Sequence, residues 1–353
     1  MKYQTIRDVD VKDKTVLVRV DYNVPLDSDG KITDDLRIRA SLPTLEYLRE
    51  AGAGKIILLS HLGRPEGKDE KLSLGVAAKA LGKMLPNVKF VKDVSGTVVE
   101  KAVAEMKNGE ILLLENLRFD PGEEGNSAEF IKKIIDAMGA EIYVQDGFAV
   151  VHRAHASTDA VAEFLPVYMG LLLEKEVSNL EKVALNPEKP VLLIIGGSKV
   201  EDKEPLIEKF TKKADRIVVG GKIAADGYKG GDNIYVAEDF DEDSSGAKLD
   251  VGPLSMTKIA GFITDAKTII WNGLLGKTED PAYATASTIA AEMIGEKEDA
   301  ETVICGGDTT GFVENLMKDH PGLRYSLVST GGGAALELLA GKKLPGLEAI
   351  KKN

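Results

Sequence analysis

The chain has 353 residues, and its 57 acidic side chains outnumber 45 lysines and arginines, giving a net charge of −12. This length favours two domains, and the negative charge argues against nucleic acid as a partner. No apolar run approaches the length of a membrane span, so no membrane partner is expected. The single cysteine, Cys305, cannot form an internal disulfide, which fits a cytoplasmic protein.

The first half of the chain alternates short apolar runs with helical stretches. The predicted strands are Val16–Val20, Lys55–Leu59, Val88–Val91, Ile111–Leu114 and Ile142–Val144. The predicted helices run from Asp34 towards Arg49, from Ser73 to Leu85 and from Glu129 to Met138. Near-continuous apolar strands separated by helices indicate a parallel sheet with helices on both faces.

One amphipathic helix is predicted from Val167 to Pro187. Its apolar residues recur at helical spacing, and Pro166 and Asn186-Pro187 mark its two ends. The predicted strands before it lead into arginine, histidine, aspartate and asparagine, whereas those after it lead into paired glycines. We therefore interpret residues 167–187 as a bridge between one domain, residues 1–166, and a second, residues 188–340.

The second half contains five predicted strands that each lead into glycine. They are Val191–Ile195, Arg216–Val219, Thr268–Trp271, Thr302–Cys305 and Tyr325–Ser329, and a helix over Ala334–Leu339 follows the last of them. Ligands of open α/β sheets bind beyond the carboxyl ends of the strands, where glycine lets backbone N–H groups approach phosphate. This half is therefore predicted to cradle a nucleotide.

Arginine is concentrated in the first half of the chain. Only Arg216 and Arg324 follow the predicted bridging helix. A candidate anion site in the first half combines Arg19, Arg37, His61, Arg64, Arg118 and Arg153 with Asp21 and Asn23. A solvated surface position explains any single arginine, since exposed ion pairs are common and nearly neutral. It does not explain so many cations at strand ends, and the planar fork of arginine suits phosphate and carboxylate together.

Two further groups in the second half could bind phosphate. Lys199 and Lys203 follow Gly196-Gly197 at a spacing of four, which predicts one shared face at the start of a helix. Gly331-Gly332-Gly333 precedes a predicted helix and is typical of a phosphate cradle. A solvated lysine pair and a tight strand-to-helix turn remain the alternatives for these two groups.

Two acidic residues could contribute to nucleotide binding. Asp308 follows Gly306-Gly307 and could hold Mg²⁺, which needs few protein carboxylates when phosphates supply the other ligands. Glu279 could bind ribose hydroxyls, although a lone acid after a loop is usually solvated.

Neither common nucleotide-binding fingerprint is intact. Gly276-Lys277-Thr278 is similar to the end of a Walker A loop, but Trp271 occupies the position of its first glycine. No predicted strand leads into Gly-x-Gly-x-x-Gly with an acid about 20 residues on, which weakens the case for a nicotinamide dehydrogenase. No serine or cysteine nucleophile is paired with a base. Phosphoryl transfer to a carboxylate, which is already ionised, needs cations and positioning but no base.

Segments along the whole chain resemble the phosphoglycerate kinase family, in the family's order. They are Val18–Pro25, Ser60–Pro65, Leu114–Phe119, His152–His155, Gly196–Val200, Trp271–Gly273, Gly306–Thr309 and Ser329–Ala334. The resemblance implies two Rossmann-like α/β domains that close about a hinge, with the tail 341–353 packing on the first domain. It also implies reversible transfer of a phosphoryl group between ATP and 3-phosphoglycerate, giving ADP and 1,3-bisphosphoglycerate, by a monomer that uses Mg²⁺.

The resemblance assigns a role to each matching position. The phosphoglycerate would be held by Asp21, Asn23, Arg37, His61, Arg64, Arg118 and Arg153. Arg19 and Lys199 would contact the transferred phosphoryl group, and the backbone of Gly332 and Gly333 would bind its transition-state oxygens. The nucleotide would be bound by Gly197, Lys203, Gly220, Gly221, Gly276, Glu279, Gly306, Gly307, Asp308 and Thr309, with Asp308 also placing Mg²⁺. In-line transfer would follow domain closure, which expels water.

The chain departs from the family pattern around the nucleotide. Gly220-Gly221-Lys222 stands where the family has three glycines, and Leu274–Thr278 replaces a Pro-Val-Gly-Val-Phe segment. The region between Tyr228 and Thr268 is shorter than usual. We therefore expect an active kinase with an altered nucleotide pocket. The alternative is a non-catalytic or nucleotide-shifted relative that binds phosphoglycerate without normal ATP turnover.

Overall fold

The computed structural model describes residues 3–350. They form two compact units, one running up to Lys175 and resuming at Lys343, the other running from Glu176 to Lys342. Each unit is built on a six-stranded parallel sheet with helices, so the predicted α/β fold is confirmed. The ends of the predicted domain ranges, residues 1–2 and 351–353, lie outside the described residues.

The sheet of the first unit has the strand order β3-β4-β2-β1-β5-β6. Its strands are β1 (Thr15–Arg19), β2 (Lys55–Leu59), β3 (Val88–Phe90), β4 (Glu110–Leu113), β5 (Ile142–Gln145) and β6 (Val167–Met169). Its helices are α1 (Leu36–Glu50), α2 (Gly75–Met84), α3 (Thr97–Ala104), α4 (Pro121–Glu124) and α5 (Ala128–Met138). The next helix, α6 (Leu171–Leu185), contains the division between the units, which falls after Lys175.

The second unit has the strand order β14-β13-β12-β7-β8-β9 and a separate antiparallel hairpin, β10-β11. Its strands are β7 (Val191–Ile195), β8 (Arg216–Val219), β9 (Ile234–Val236), β10 (Phe240–Glu242), β11 (Lys248–Val251), β12 (Thr268–Asn272), β13 (Glu301–Cys305) and β14 (Leu327–Val328). Its helices are α7 (Glu204–Thr211), α8 (Gly221–Ala225), α9 (Pro253–Asp265), α10 (Thr285–Gly295), α11 (Gly307–Asp319) and α12 (Gly333–Leu339). No helix within residues 3–350 is long and apolar enough to cross a membrane.

The predicted helix over Val167–Pro187 begins later than the sequence indicates. Val167–Met169 instead forms β6, which pairs with β5 in the register Tyr143↔Val167. The apolar positions of the remaining segment do face the core, because Leu173, Val177, Leu180 and Val183 are all buried. Three apolar residues before a glycine suit a short edge strand as well as a helical turn, so the pattern alone did not separate them.

Residues 343–350 pack on the first unit. A short helix, α13 (Pro345–Glu348), lies there, and Gly346 N donates a hydrogen bond of 2.9 Å to Val151 O. Glycine is required at this close approach, because a Cβ on Gly346 would lie 2.9 Å from the Cβ of Val151. Leu344, Leu347 and Ile350 are buried, so these three residues contribute to the apolar core.

A buried carboxyl group holds the start of α6. Asp146 Oδ1 accepts hydrogen bonds from the N–H groups of Leu172, at 3.0 Å, and Leu173, at 3.3 Å. Gly170 leaves the necessary room, since a Cβ there would lie 2.1 Å from the same oxygen. Burial raises the pKa of Asp146 to about 7, although hydrogen bonds from Thr44 and from the two amides act in the opposite direction. The native state therefore binds a proton at this site well above the ordinary pKa of aspartate.

The raised pKa of Asp146 predicts how the free energy of unfolding depends on pH. The folded pKa lies above the unfolded value of 3.8, so Asp146 costs nothing below about pH 4 and lowers the free energy of unfolding as pH rises towards about 7. The full cost, of order 4 kcal/mol, remains above that pH. Asp146→Asn keeps an acceptor for the amides and cannot ionise. The variant is therefore expected to gain stability relative to the parent between pH 4 and pH 8 in calorimetric unfolding.

The matched control is Asp136→Asn on α5, where an exposed carboxylate lies 2.6 Å from Lys132 Nζ. This variant should follow the parent across the same pH range, because an exposed pair contributes little. Equal pH dependence in the parent and in Asp146→Asn would contradict the raised pKa.

Candidate active site

The carboxyl ends of β1, β2 and β4 bring five predicted site residues together. We call them the strand-end cluster: Asp21, Asn23, Arg37, His61 and Arg118. Asp21 and Asn23 follow β1, His61 follows β2 and Arg118 follows β4, and these three parallel strands are neighbours in the sheet. Arg37 comes from the first turn of α1. Strands of one parallel sheet end at the same edge, which is where open α/β sheets bind ligands.

Asp21 is the acidic centre of the strand-end cluster. Its Oδ2 accepts from Arg37 Nη1, and its Oδ1 lies 3.9 Å from His61 Nδ1. Burial alone would raise the pKa of Asp21, but the positive charge of Arg37 and a hydrogen bond from Asn23 N outweigh it and lower the pKa. The carboxylate is therefore ionised, and it holds an Arg37 side chain that keeps 27% of its surface exposed.

His61 is a neutral imidazole in this arrangement. The residue is only 3% exposed. Burial lowers the pKa of His61 well below its ordinary value, and the neighbouring guanidinium groups of Arg19, Arg118 and Arg37 lower it further, against the opposing effect of Asp21. A neutral ring donates one hydrogen bond and accepts another, so it can orient a ligand without adding charge.

Two residues of the cluster hold the loop after β2. Gly63 N donates to Asn23 Oδ1 at 2.8 Å, and Arg118 Nη1 donates to Gly63 O at 2.8 Å. Arg118 is buried, and burial lowers the pKa of its guanidinium although Glu124 at 3.1 Å raises it. Arg64 follows in the same loop and is exposed. These two hydrogen bonds therefore fix the backbone that presents the exposed Arg64 side chain.

A second group of basic side chains follows β5. Arg153 Nε lies 3.2 Å from His152 Nε2, and Arg153 is close enough to Arg118 to lower the pKa of that guanidinium. Burial lowers the pKa of His155 to about 4, and the charges of Arg118, Arg19 and Arg153 contribute to the shift. So many cations around one neutral ring indicate a surface suited to an anion.

Arg19 requires a correction to the sequence-based assignment. Its side chain is 0% exposed, and its nitrogens are directed at protein groups. Nε donates to Ser157 Oγ at 2.8 Å, Nη1 donates to Val20 O, and Nη2 lies 3.2 Å from His61 Nδ1. A guanidinium enclosed in this way does not reach a transferred phosphoryl group. Arg19 instead supports His61 from beneath the site.

The second unit contains a cavity of about 490 Å³ at the carboxyl ends of its strands. We call it the lysine cavity, after Lys199, Lys203, Lys222, Lys248 and Lys277, which all line it. The other predicted nucleotide residues that line it are Gly197, Gly276, Glu279, Gly306, Gly307, Asp308 and Thr309. The structure therefore gathers most of the predicted nucleotide residues around one space.

Close packing explains the glycines that frame the lysine cavity. A Cβ on Gly273 would lie 2.1 Å from Gly196 O, and a Cβ on Gly196 would lie 2.2 Å from Leu274 O. Gly197 has a φ of +83°, a conformation that L side chains rarely adopt. Thr309 Oγ1 accepts from Gly273 N at 2.8 Å and is buried, so this side chain holds the loop, and its contact with a nucleotide stays a prediction.

The two predicted lysines do not share a helix. Lys199 lies in the loop after β7 and is exposed, while Lys203 directly precedes α7, which starts at Glu204 with Pro205 in its first turn. Proline suits the first turn of a helix, which explains this later start. Both lysines nevertheless line the cavity. Burial lowers the pKa of Lys203, partly opposed by Cys305, Asp202 and Asp308.

Four predicted glycines lie away from the lysine cavity lining. A Cβ on Gly220 would lie 2.6 Å from the side chain of Leu275, and one on Gly221 would lie 2.7 Å from Leu274 O. Both glycines therefore pack closely against the Leu274-Leu275 segment, and their contact with the nucleotide stays a prediction. Gly332 has a φ of +49° and precedes Gly333 at the start of α12. Their contact with transition-state oxygens stays a prediction.

Several cavity residues were missed by sequence reasoning. Asp202 lies in the loop before α7. Lys222 on α8 was not missed, because the sequence analysis placed it among the departures around the nucleotide. Lys248 and Leu249 belong to β11 of the hairpin, and Lys277 N donates to Leu249 O at 2.8 Å. The available signal was the alternating Lys248–Val251 segment after a Ser-Ser-Gly turn, which is typical of a hairpin strand.

Asp308 is the cavity carboxylate best placed for a metal bound through a nucleotide. It is exposed and lies in the first turn of α11, whose N-terminal N–H groups also favour phosphate. Among residues 3–350, no group of three or more histidine, cysteine or acidic side chains could hold a metal ion alone. One carboxylate beside a phosphate site fits Mg²⁺, which takes its remaining ligands from phosphates and water.

Comparison with known proteins gives one consistent family. The family model described as phosphoglycerate kinase matches residues 6–239 and 232–342. Phosphoglycerate kinase of Fervidobacterium nodosum is 41% identical over 401 aligned residues, covering 99% of this chain and 98% of the relative. That of Coprothermobacter proteolyticus is 40% identical and covers 99% of both chains.

Solved structures agree with the sequence comparisons. The crystal structure of phosphoglycerate kinase from Pyrococcus horikoshii has a TM-score of 0.86 at 28% identity and covers 98% of both chains. The structure of phosphoglycerate kinase from Coxiella burnetii has a TM-score of 0.79 at 32% identity, covering 99% of this chain and 98% of the other.

Proposed function

The chain belongs to the phosphoglycerate kinase family, and on this premise we propose that it transfers a phosphoryl group between ATP and 3-phosphoglycerate. As a member of the family it is an enzyme, a glycolytic kinase with ATP and ADP as substrates. One observation carries the residue-level proposal. An acidic chain of net charge −12 concentrates cations at the carboxyl-end edge of the sheet in each of its units.

The strand-end cluster and the basic residues beside it are proposed to hold the phosphoglycerate. Arg37, Arg64 and Arg153 each keep part of their side chain exposed, so their planar forks are available to phosphate and carboxylate oxygens. Asn23 and the neutral His61 would contribute directional hydrogen bonds. Arg37 replaces Arg19 as the proposed first-unit contact of the transferred group, because Arg37 is accessible and anchored by Asp21.

The lysine cavity is proposed to hold the nucleotide. Lys203 and the N-terminal turn of α11 would bind phosphates, and Lys199, which is exposed, would contact the transferred group. Glu279 lines the cavity and keeps the proposed contact with ribose. Lys222, Lys248 and Lys277 line the same cavity in addition to Lys199 and Lys203, which supports the proposal of an altered nucleotide pocket.

Asp308 is the residue that would hold Mg²⁺ against the nucleotide phosphates. When bound, this ion would neutralise charge on the phosphate oxygens. The protein's own cations do the rest, since Lys199 and Arg37 would oppose the negative charge that the transferring group spreads over its oxygens.

The chemistry needs no general base. A carboxylate oxygen of 3-phosphoglycerate forms the new bond to the γ-phosphorus of ATP, and the bond from that phosphorus to the β–γ bridging oxygen breaks. The leaving ADP carries away the electron pair, and the product is an acyl phosphate. In-line displacement requires the two ligands to meet, so domain closure belongs to the proposal. Action as a cytoplasmic monomer is likewise proposed from the family resemblance.

Reciprocal variants test the assignment of ligands to the two units. Arg64→Ala should weaken 3-phosphoglycerate binding by about ten-fold or more, since it removes a charge-assisted contact, and leave ATP binding unchanged. Lys203→Ala should do the reverse. Isothermal titration calorimetry of each ligand with each full-length variant measures both effects. If Arg64→Ala instead lost nucleotide affinity, the two sites would be misassigned.

A further inference from the structure

A buried acid lies beneath the strand-end cluster without belonging to it. Glu123 is 0% exposed and sits in the short helix α4. Its Oε1 accepts from Ser157 Oγ at 2.5 Å and its Oε2 accepts from Ser157 N at 3.1 Å. The same Oε1 lies 3.8 Å from Arg19 Nη2, also at 0% exposure. Neither side chain reaches a ligand, so any effect on the reaction must pass through other groups.

The contacts continue from Glu123 to the ring of His61. Ser157 Oγ donates its proton to Glu123 and accepts from Arg19 Nε at 2.8 Å. Arg19 Nη2 lies 3.2 Å from His61 Nδ1. A guanidinium nitrogen can only donate, so Nδ1 is the acceptor and the ring carries its proton on Nε2. One chain of hydrogen bonds therefore fixes both the ring orientation and the tautomer.

Ser157 is itself held from the opposite side. Its carbonyl oxygen accepts from Tyr143 Oη at 2.6 Å and from Gln145 Nε2 at 3.3 Å. Both partners are on β5, so the serine is anchored to the sheet that carries the site. A rigid anchor is what an indirect positioning contact requires, because a mobile serine would let Arg19 and the ring relax.

Charge explains why an acid occupies this position. A buried guanidinium stays protonated and needs a nearby negative charge. Asp21, the acid of the strand-end cluster, is bound by Arg37. Glu123 supplies a second carboxyl group, and its Oε1 lies within ion-pair distance of Arg19. Burial raises the pKa of Glu123, whereas the charge of Arg19 and the hydrogen bonds from Ser157 favour the ionised form. Without it, Arg19 would draw on Asp21 and compete with Arg37 for the same carboxylate.

We propose that Glu123 is a positioning residue for phosphoglycerate recognition, acting through Ser157 and Arg19 to present the Nε2–H of His61 to the substrate. The proposal rests on the proposed function, because it assumes that the strand-end cluster binds 3-phosphoglycerate. It assigns a role in substrate recognition to three residues that make no contact with the ligand.

The test is Glu123→Gln, which keeps the shape and removes the charge. The KM for 3-phosphoglycerate is expected to rise about ten-fold or more, the loss typical of a charged hydrogen-bond partner. The KM for ATP should stay within about two-fold, since the change is confined to one site. Ser157→Ala should shift the same constant in the same direction. The surface control is Glu129→Gln, whose carboxylate pairs with exposed Lys133 and should change neither constant.

A spectroscopic readout separates positioning from simple stability. Nitrogen-15 shifts of the histidine rings report which nitrogen is protonated, and His61→Gln identifies the His61 signal among four histidines. The parent should show the Nε2–H tautomer, and Glu123→Gln a mixture of tautomers. Unchanged tautomer and KM in both Glu123→Gln and Ser157→Ala, with active parent enzyme, would overturn the proposal. An inactive parent would instead overturn the proposed function.

Discussion

Lys199→Ala is expected to lower kcat by roughly 100- to 1,000-fold, the loss typical of removing one preorganised contact to transition-state charge. The KM for 3-phosphoglycerate should change little, because Lys199 lines the cavity of the second unit and the substrate cluster belongs to the first. Exposure of Lys199 supports this role, since the ammonium is free to approach a phosphoryl group. Steady-state kinetics with both substrates varied measures the split between kcat and KM.

Lys318→Ala is the control for this experiment. Lys318 is exposed near the end of α11, and its Nζ lies 2.8 Å from Asn315 Oδ1, away from the cavity lining. Removing it changes net charge by the same amount and should leave kcat unaffected. A Lys199→Ala enzyme with parental kcat would rule out the proposed contact with the transferred group.

Arg37→Ala is expected to reduce kcat/KM by about 100-fold or more, the loss that follows removal of one partner of a largely buried pair. Two causes add. The substrate loses an accessible guanidinium, and Asp21, which is 7% exposed, loses the cation that holds its pKa down. Arg37→Lys should recover only part of the activity, because an ammonium lacks the planar fork of arginine. Kinetics in both reaction directions would measure these losses.

The neighbouring Arg39 provides the comparison for Arg37. It is exposed on the same helix, and its Nε lies 2.6 Å from Asp35 Oδ1. Arg39→Ala should therefore retain most of the parental kcat/KM, as exposed pairs contribute little. Equal losses in the two variants would indicate a general charge effect rather than a contact made by Arg37.

The sheets could be predicted where strands are long and apolar. Lys55–Leu59 and Val191–Ile195 match the predicted bounds, because continuous buried runs leave little ambiguity. Two of the short edge strands, β6 and β9, were missed, whereas β3 and β14 fall within predicted strands. Ile234–Val236 has only three residues, all half-buried, and Val167–Met169 looked helical in its local pattern. Edge strands of this length are specified by the pairing of the sheet more than by their own residues.

The burial of Arg19 was partly readable from the sequence. Val16 and Val18 of β1 and Val20 directly after it alternate with Leu17 and Arg19 and belong to one core cluster, so Leu17 and Arg19 point to the other face of the sheet. The sequence could not tell what covers that face. Glu123 and Ser157 cover that face, and they lie 104 and 138 positions after Arg19 in the sequence. In the sequence alone, the Glu123-Glu124 pair looks like any solvated pair of acids.

The nucleotide side shows the same limit. The glycine turns predicted a phosphate site, and most of the residues carried over from the family do line one cavity. Gly220 and Gly221 do not, because a glycine needed for close packing and one needed for a ligand have the same sequence signature. Lys222 on α8 was visible as a departure from the family pattern, whereas Lys248 of the β10-β11 hairpin reaches the cavity through tertiary placement rather than through a motif.

An acyl-phosphate trap tests the central claim most directly. The full-length protein is incubated with Mg²⁺, 3-phosphoglycerate and hydroxylamine, with ATP, GTP and other nucleotides in separate reactions. Phosphoryl transfer to the carboxylate predicts a hydroxamate with at least one nucleotide and almost none with Lys199→Ala. No hydroxamate with any nucleotide, from protein that still binds 3-phosphoglycerate, would contradict the account and leave a phosphoglycerate-binding relative without phosphoryl transfer.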